Sequence, residues 1–322
     1  MRLPHNLLEN VGLLTDSPEE LIAALGEGCG VGEADEIFRL FGLGLPPVTS
    51  LKALAVMTGY NPGFIWSLVD RPEKYYRLFE IPKGRQVRRI EAPRVALKLI
   101  QKWFSLHFAR QWKPHDAVHG FVRGRSHVSA AREHVTAEWL VSGDIENFFP
   151  STLKKDVRAA MLRLGYRSEV SLSTIESLCC RYDRLAQGAP SSPVLANIAL
   201  DLLDQKMAAI ADQYGVVFTR YADDIVFSGR GRAPASIVEE LNAIFEGTSW
   251  RLSTRKQSVM HLPDRLKVHG LLVHGEHVRL TKGYRNRLRA FRHLLDRGTI
   301  KEADKRRIRG HLNYSRQIED GG

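Results

Sequence analysis

The sequence predicts an α+β fold with an antiparallel sheet, and three observations predict it. Apolar runs of strand length meet across short turns: 75–81 with 86–91 around Lys83-Gly84-Arg85, and 216–221 with 225–229 around Ala222-Asp223-Asp224. Helical patterns occur between the strands without the regular alternation that a doubly wound sheet requires. Finally, 322 residues at 43% hydrophobic content can build a large core in two or three subdomains, and no apolar run reaches membrane-spanning length.

The elements follow in order. Ser17-Pro18-Glu19-Glu20 reads as an N-cap, a proline in the first turn and a capping-box glutamate, opening a helix to Leu25. Gly42-Leu43-Gly44-Leu45-Pro46-Pro47 is a breaker-rich boundary that closes an N-terminal helical extension, residues 1–45. Short helical patterns at 51–57 and 64–69 flank Gly59-Tyr60-Asn61-Pro62. They read as two packed helices, with a DNA-reading helix-turn-helix as the other option. After the 75–81 and 86–91 strands, Pro93 opens a helix to about Arg110 whose Leu97, Ile100, Phe104 and Phe108 keep helical spacing. A strand at 138–143 ends in Asp144. Helices are predicted at 152–164, 173–181, 192–213, 234–246, 283–297 and 300–317, with further strands at 250–254, 267–274 and 277–281.

Net charge is +11, which favours a polyanionic partner because neutralised phosphates release counterions. The excess concentrates in residues 283–322, where 11 Lys and Arg face 5 Asp and Glu. Cys29, Cys179 and Cys180 include no CxxC spacing, arguing against both a disulfide framework and a zinc site. The N-terminus lacks the pattern of a cleaved leader, so a reducing cytoplasm is the expected location, with no membrane partner.

The chemistry gathers on three aspartates. Asp223 and Asp224 are adjacent, repel each other, and sit among Val217, Phe218, Ile225, Val226 and Phe227. An Asp-rich turn would explain them alone; so would a divalent metal, for which carboxylate oxygens are hard ligands. Asp144 closes the apolar run Trp139-Leu140-Val141, and if that strand neighbours the hairpin the three acids share one sheet edge. Such a set can hold two Mg²⁺ roughly 4 Å apart, with Mn²⁺ a workable substitute, for phosphoryl transfer.

In order along the chain stand Arg89-Ile90-Glu91-Ala92-Pro93 with Leu97-Lys98 and Gln101, then His119-Gly120-Phe121-Val122-Arg123-Gly124-Arg125-Ser126, then Asp144 to Ser151. Gln187-Gly188-Ala189-Pro190-Ser191-Ser192-Pro193, Tyr221-Ala222-Asp223-Asp224 and Trp250 to Lys256 complete the series. This ordered set resembles bacterial reverse transcriptases, most of all those of retrons. The resemblance implies a right-hand polymerase fold: fingers and palm over 46–262 and a short helical thumb, basic and duplex-binding, over 263–322. It implies Asp144, Asp223 and Asp224 as catalytic acids, with Ile145 beside them in the metal site. Phe149 falls at the steric-gate position that rejects a ribonucleotide 2′-OH, and Gln187, Gly188 and Tyr221 fall where the family meets nucleotide and template. Lys83, Arg85, Arg88 and Arg89 lie on the fingers hairpin as candidates to grip the triphosphate, and Lys256 matches a lysine near the pyrophosphate, with a general-acid role as a hypothesis.

Three positions depart from the retron pattern. Ala130-Ala131-Arg132-Glu133-His134 stands where Asn-Ala-x-x-His is usual, Val268-His269-Gly270 where Val-Thr-Gly is usual, and Ala186 where a proline precedes the Gln-Gly pair. His134, His269, His274 and His277 lack metal-ligand spacing, so RNA contact or packing is expected of them. Arg123, Arg125, His134, His269, Arg285, Arg289, Arg292 and Arg306 are the candidate RNA contacts. Tyr284, Phe291 and Tyr314 are read as core aromatics, with base stacking as the alternative. The implied partners are dNTPs, a structured noncoding RNA serving as template and primer, and its DNA product. A toxic effector protein and a host ribonuclease H for template removal are implied further, since no nuclease module is recognisable after the thumb. The implied product is a branched RNA-linked DNA within an antiphage system; a differently primed bacterial enzyme is the alternative.

Overall fold

Trp139, Leu140 and Val141 are wholly buried, and the strand they begin is an inner member of the largest sheet. The computed structural model describes residues 5–84, 86–297 and 302–319. Its strands are β1 (Tyr76–Lys83), β2 (Gln86–Pro93), β3 (Trp139–Asp144), β4 (Cys180–Arg181), β5 (Arg184–Leu185) and β6 (Val217–Tyr221). They continue as β7 (Asp224–Gly229), β8 (Ser258–His261), β9 (Lys267–Val268), β10 (Leu271–Leu272) and β11 (Arg279–Leu280). The main sheet has the order β6-β7-β3-β8, with every neighbouring pair antiparallel. β1-β2 and β4-β5 form two-stranded sheets, and β11-β10-β9 a three-stranded one.

The chain forms two units, each assembled from separated stretches. The first comprises residues 1–115, 146–202 and 247–251; the second comprises 116–145, 203–246 and 252–322. The first holds the N-terminal helices, β1-β2 and β4-β5. The helix Val95–Gln111 crosses its core, burying Leu97, Ile100, Trp103, Phe104 and Phe108, with Trp103, Phe104 and Phe108 stacked in succession. The second holds the main sheet and β9-β11. Its core joins Leu140 and Val226 to Val268, Leu271, Val278, Leu280, Leu288 and Ile318, so the helices Lys282–Asp296 and Glu302–Glu319 each seat an apolar stripe against the β9-β11 region.

Local signals explain the element ends. Ser17 caps Pro18–Leu25 by accepting from the Glu20 backbone N–H at 3.2 Å. The Glu20 carboxylate accepts from the Asp16 N–H rather than from Ser17, a reach-back displaced by one residue. Four α-helices among the described residues are not among the sequence expectations: His5–Glu9, Glu33–Gly42, His127–Glu133 and Phe148–Ser151. The strand expected at 250–254 is not one. Leu252 makes a single bridge to Ile145, the chain turns at Ser253, and the pairing strand is β8, four residues further on. The expected 267–274 strand is split into β9 and β10 by His269 and Gly270, both with positive φ.

Candidate active site

β6 and β7 are joined by Ala222 and Asp223 alone, with Tyr221 paired to Asp224 across the hairpin. Ala222 has φ +58°, a left-handed conformation that its β-carbon disfavours by about 1–2 kcal/mol. β3 lies on the other side of β7, and its last residue, Asp144, pairs in register with Asp224. The Ile145 N–H then donates to the Asp223 carbonyl at 2.8 Å. The three acids predicted from sequence therefore meet at one end of the main sheet, carried by β3, β7 and the turn between β6 and β7.

Their charges are partly answered by the chain itself. After the turn at Ser253, whose N–H donates to the Asp144 carbonyl, Lys256 places Nζ 2.6 Å from Asp144 Oδ2. This pairing raises the lysine above its ordinary value, making it a held cation rather than a ready proton donor at neutral pH. On the opposite acid, His269 Nδ1 lies 3.4 Å from Asp224 Oδ2. At Asp223, burial first, then the Asp224 and Asp144 charges, raise the carboxyl above the usual aspartate range. Among the described residues no three acidic, histidine or cysteine side chains converge into a closed metal-ligand group. The donor chemistry nonetheless suits a hard divalent cation: three carboxylates on one edge, one of them destabilised by its neighbours, and a lysine ammonium already standing in as counter-charge.

The turn is braced from beneath. Gly120 packs so closely that a Cβ on it would lie 2.2 Å from the Ala222 nitrogen and 2.9 Å from the Tyr221 carbonyl carbon. Only a residue without a side chain permits that approach. The 117–119 segment runs alongside Arg220: Arg220 N–H donates to Ala117 O, and His119 N–H to Arg220 O, both at 2.8 Å. Arg220, fully buried, makes a two-pronged contact with the equally buried Asp204 at 2.6 Å for each prong, and its third nitrogen donates to Ala222 O at 3.0 Å. One arginine thus ties the turn to the helix Ser192–Tyr214. Neither Arg220 nor Asp204 was singled out from sequence, although a charge between Phe218 and Tyr221 in an apolar strand was the available signal.

A family model described as reverse transcriptase (RNA-dependent DNA polymerase) matches residues 81–280. The chain belongs to the reverse transcriptase family. It is an RNA-directed DNA polymerase of the retron type, as its relatives indicate. Retron Ec86 reverse transcriptase of Escherichia coli is 28% identical over 88% of this chain and 88% of its own. Retron Mx65 reverse transcriptase of Myxococcus xanthus is 29% identical over 85% of this chain and 70% of its own. Among solved structures, apo telomerase from Candida tropicalis aligns at TM-score 0.49 and 9% identity, over 64% of this chain and 47% of that one.

The other residues that the sequence singled out for nucleotide and template belong to the first unit. Phe149 is half-buried in the short helix Phe148–Ser151, its ring 5.1 Å from that of Phe148. The Gln187 carbonyl accepts from the Glu91 N–H at 2.8 Å, and Gly188, at φ +125°, would press a Cβ to 2.9 Å from Ile90 Cγ2. Glu91 is the anchor of this loop: its buried carboxylate accepts from Arg181 at 2.6 Å and from Arg184 at 3.1 Å. Arg89 is exposed and Arg88 half-exposed on β2; Lys83 ends β1, and Arg85 lies outside the described residues.

The candidate RNA contacts divide sharply. Arg123, Arg285, Arg289, Arg292 and Arg306 are exposed, the last four on the helices whose apolar stripes face inward. Arg125 is instead a loop staple, donating to Asp116 O, Val118 O and Asp116 Oδ1 at 2.8–2.9 Å. His134 corrects its expectation. It is 1% exposed, with Nδ1 2.7 Å from Ser228 Oγ and Nε2 2.7 Å from Thr219 Oγ1, so no ring nitrogen is left for RNA. His269, too, lies against the turn between β6 and β7. Tyr314 and Tyr284 pack with His127 and His311, His127 Nε2 lying 2.8 Å from the Tyr314 hydroxyl, and Phe291 rests on His311. No described helix is long and apolar enough to cross a membrane.

Proposed function

We propose that this enzyme copies a structured noncoding RNA into branched, RNA-linked single-stranded DNA, priming from an RNA 2′-hydroxyl. The observation that carries the reading is the similarity to a retron reverse transcriptase over 88% of both chains, which leaves little room for a different architecture. In this reading Asp144, Asp223 and Asp224, with the Ile145 backbone, hold two Mg²⁺. When bound, the ions activate the primer hydroxyl and neutralise the leaving pyrophosphate. Lys256 holds Asp144 in place before nucleotide arrives. Phe149 acts as the ribose gate, and Gln187 and Gly188, fixed through Glu91, offer a backbone surface to nucleotide and template. Lys83, Arg85 and Arg89 grip the triphosphate, Tyr221 supports the nucleotide site, and the exposed arginines of residues 282–319 track duplex phosphates.

The same reading divides the chain into an extension, a fingers–palm core and a thumb. It gives the enzyme a cytoplasmic, antiphage setting with a toxic effector, and a host ribonuclease H that removes template. A differently primed enzyme is the second reading, favoured by Ala130 and His269 at positions where retron motifs carry other residues.

Nucleic acid copurified with the native enzyme decides between them. A DNA joined by a 2′–5′ bond to one defined RNA is the expected result; unbranched DNA selects the second reading, and host RNA without DNA removes the first. In primer extension, Asp223→Asn with Asp224→Asn is expected to lose at least about a thousandfold in rate, the scale of losing metal stabilisation worth several kcal/mol. Phe149→Ala is expected to raise ribonucleotide incorporation.

A further inference from the structure

His269 lies between β9 and β10, and the two residues that separate these strands are both in the left-handed region, His269 at φ +49° and Gly270 at φ +84°. Glycine is at ease there, whereas histidine meets its own β-carbon. The conformation turns the imidazole inward. Its side chain is 8% exposed, its ring centroid is 5.1 Å from that of Tyr221, and its Nδ1 is 3.4 Å from Asp224 Oδ2. Tyr221 and Asp224 are the first and last residues of the active-site turn, so one ring touches both ends of it. Val268 and Leu271, on either side of the two-residue break, are buried in the core of the second unit, which fixes the loop that carries the ring. Nε2 is buried and has no hydrogen-bond partner, so an RNA group would have to open the packing to reach it.

The geometry points to His269 as a positioning residue for DNA synthesis, one that holds a carboxylate oxygen of Asp224 and the ring of Tyr221. This role rests on the reading of the aspartates as the metal-binding acids. It gives the Val268-His269-Gly270 sequence a use inside the catalytic machinery: the break in the strand is what aims Nδ1 at the acid. Asparagine can reproduce it. Its amide nitrogen stands as many bonds from Cα as Nδ1 does, and asparagine tolerates a left-handed backbone. Glutamine carries its amide one bond too far.

The test uses the full chain and three readouts: single-turnover dNTP incorporation on a primed RNA template, the Kd for that RNA, and Mn²⁺ binding followed by electron paramagnetic resonance. For His269→Ala the expected outcome is a loss of about 10- to 100-fold in rate and a comparable loss in Mn²⁺ affinity, with RNA affinity kept within about twofold. His269→Asn is expected to recover most of both losses. Where His269→Ala fails to fold, His269→Gln replaces it as the perturbing variant. The role is overturned by unchanged rate and Mn²⁺ affinity, by a loss of RNA affinity with the saturated rate intact, or by an asparagine variant as defective as the perturbing one. An Asp223→Asn enzyme that polymerises at the wild-type rate removes the underlying site reading itself, whatever His269 does.

Discussion

Two antiparallel hairpins carry the reverse transcriptase's most recognisable residues, and they are built in opposite ways. β6-β7 has β3 at its flank, a core beneath it, and side-chain ties on every side: Arg220 to Asp204, His134 across both strands, His269 at the turn. β1-β2 is a sheet of two strands whose outer half exposes Leu78, Phe79, Ile81 and Val87. It is anchored at its base alone, where Tyr76 is buried and Glu91 is clasped by Arg181 and Arg184. In the proposed reading the carboxylates share metal ions, and such ligands require fixed positions. The difference teaches that the chain concentrates its buried polar contacts where geometry is chemistry.

That contrast can be broken by measuring what each hairpin loses. The largest loss is expected from Asp204→Ala, which strands the buried Arg220 charge; equilibrium unfolding should register about 3–5 kcal/mol. Replacing both members by apolar residues should cost less than either single change. His134→Ala, which leaves the Ser228 and Thr219 hydroxyls without their partner, should cost about 2–3 kcal/mol. Gly188→Ala forces a left-handed β-carbon against Ile90, and a loss of about 1–3 kcal/mol should accompany weaker dNTP binding. Val87→Ser on the exposed β1-β2 hairpin should stay within about 0.5 kcal/mol. If Val87→Ser proved as costly as His134→Ala, the contrast would be wrong.

Acid sharpens the same comparison. Burial lowers His134 to about 3, and burial with the Arg125 charge lowers His119 to about 4, so both stay neutral in the folded chain while the unfolded chain protonates near 6.5. Their stability is whole above about pH 6.5 and drains away as pH falls toward the folded values, because the unfolded state then binds more protons. His134→Gln should flatten that acid limb of the unfolding curve relative to the native sequence.

Much of this was legible beforehand. Trp139 to Asp144 and the 216–229 hairpin announced themselves because fully buried strands are continuous apolar runs, and an acid inside such a run stands out. β8 did not, since an edge strand whose residues are mostly exposed carries no apolar pattern, and the more hydrophobic Trp250 to Leu252 stretch drew the assignment instead. β4 and β5, two residues each, are too short for any periodicity. Within the site, the three acids and Lys256 could be placed by motif. The packing of Gly120 under the turn, the Arg220–Asp204 pair, and the true neighbours of His134 and His269 could not, because each depends on a residue remote in sequence.

The two units interleave along the chain, crossing from one to the other after residues 115, 145, 202, 246 and 251. No single cut can therefore release either one intact. During synthesis the first unit must wait for Gly247–Arg251, and the second for the segment that follows it. Folding is thereby loaded with long-range closures and is expected to be slow, with partly assembled units exposed to aggregation until those closures form.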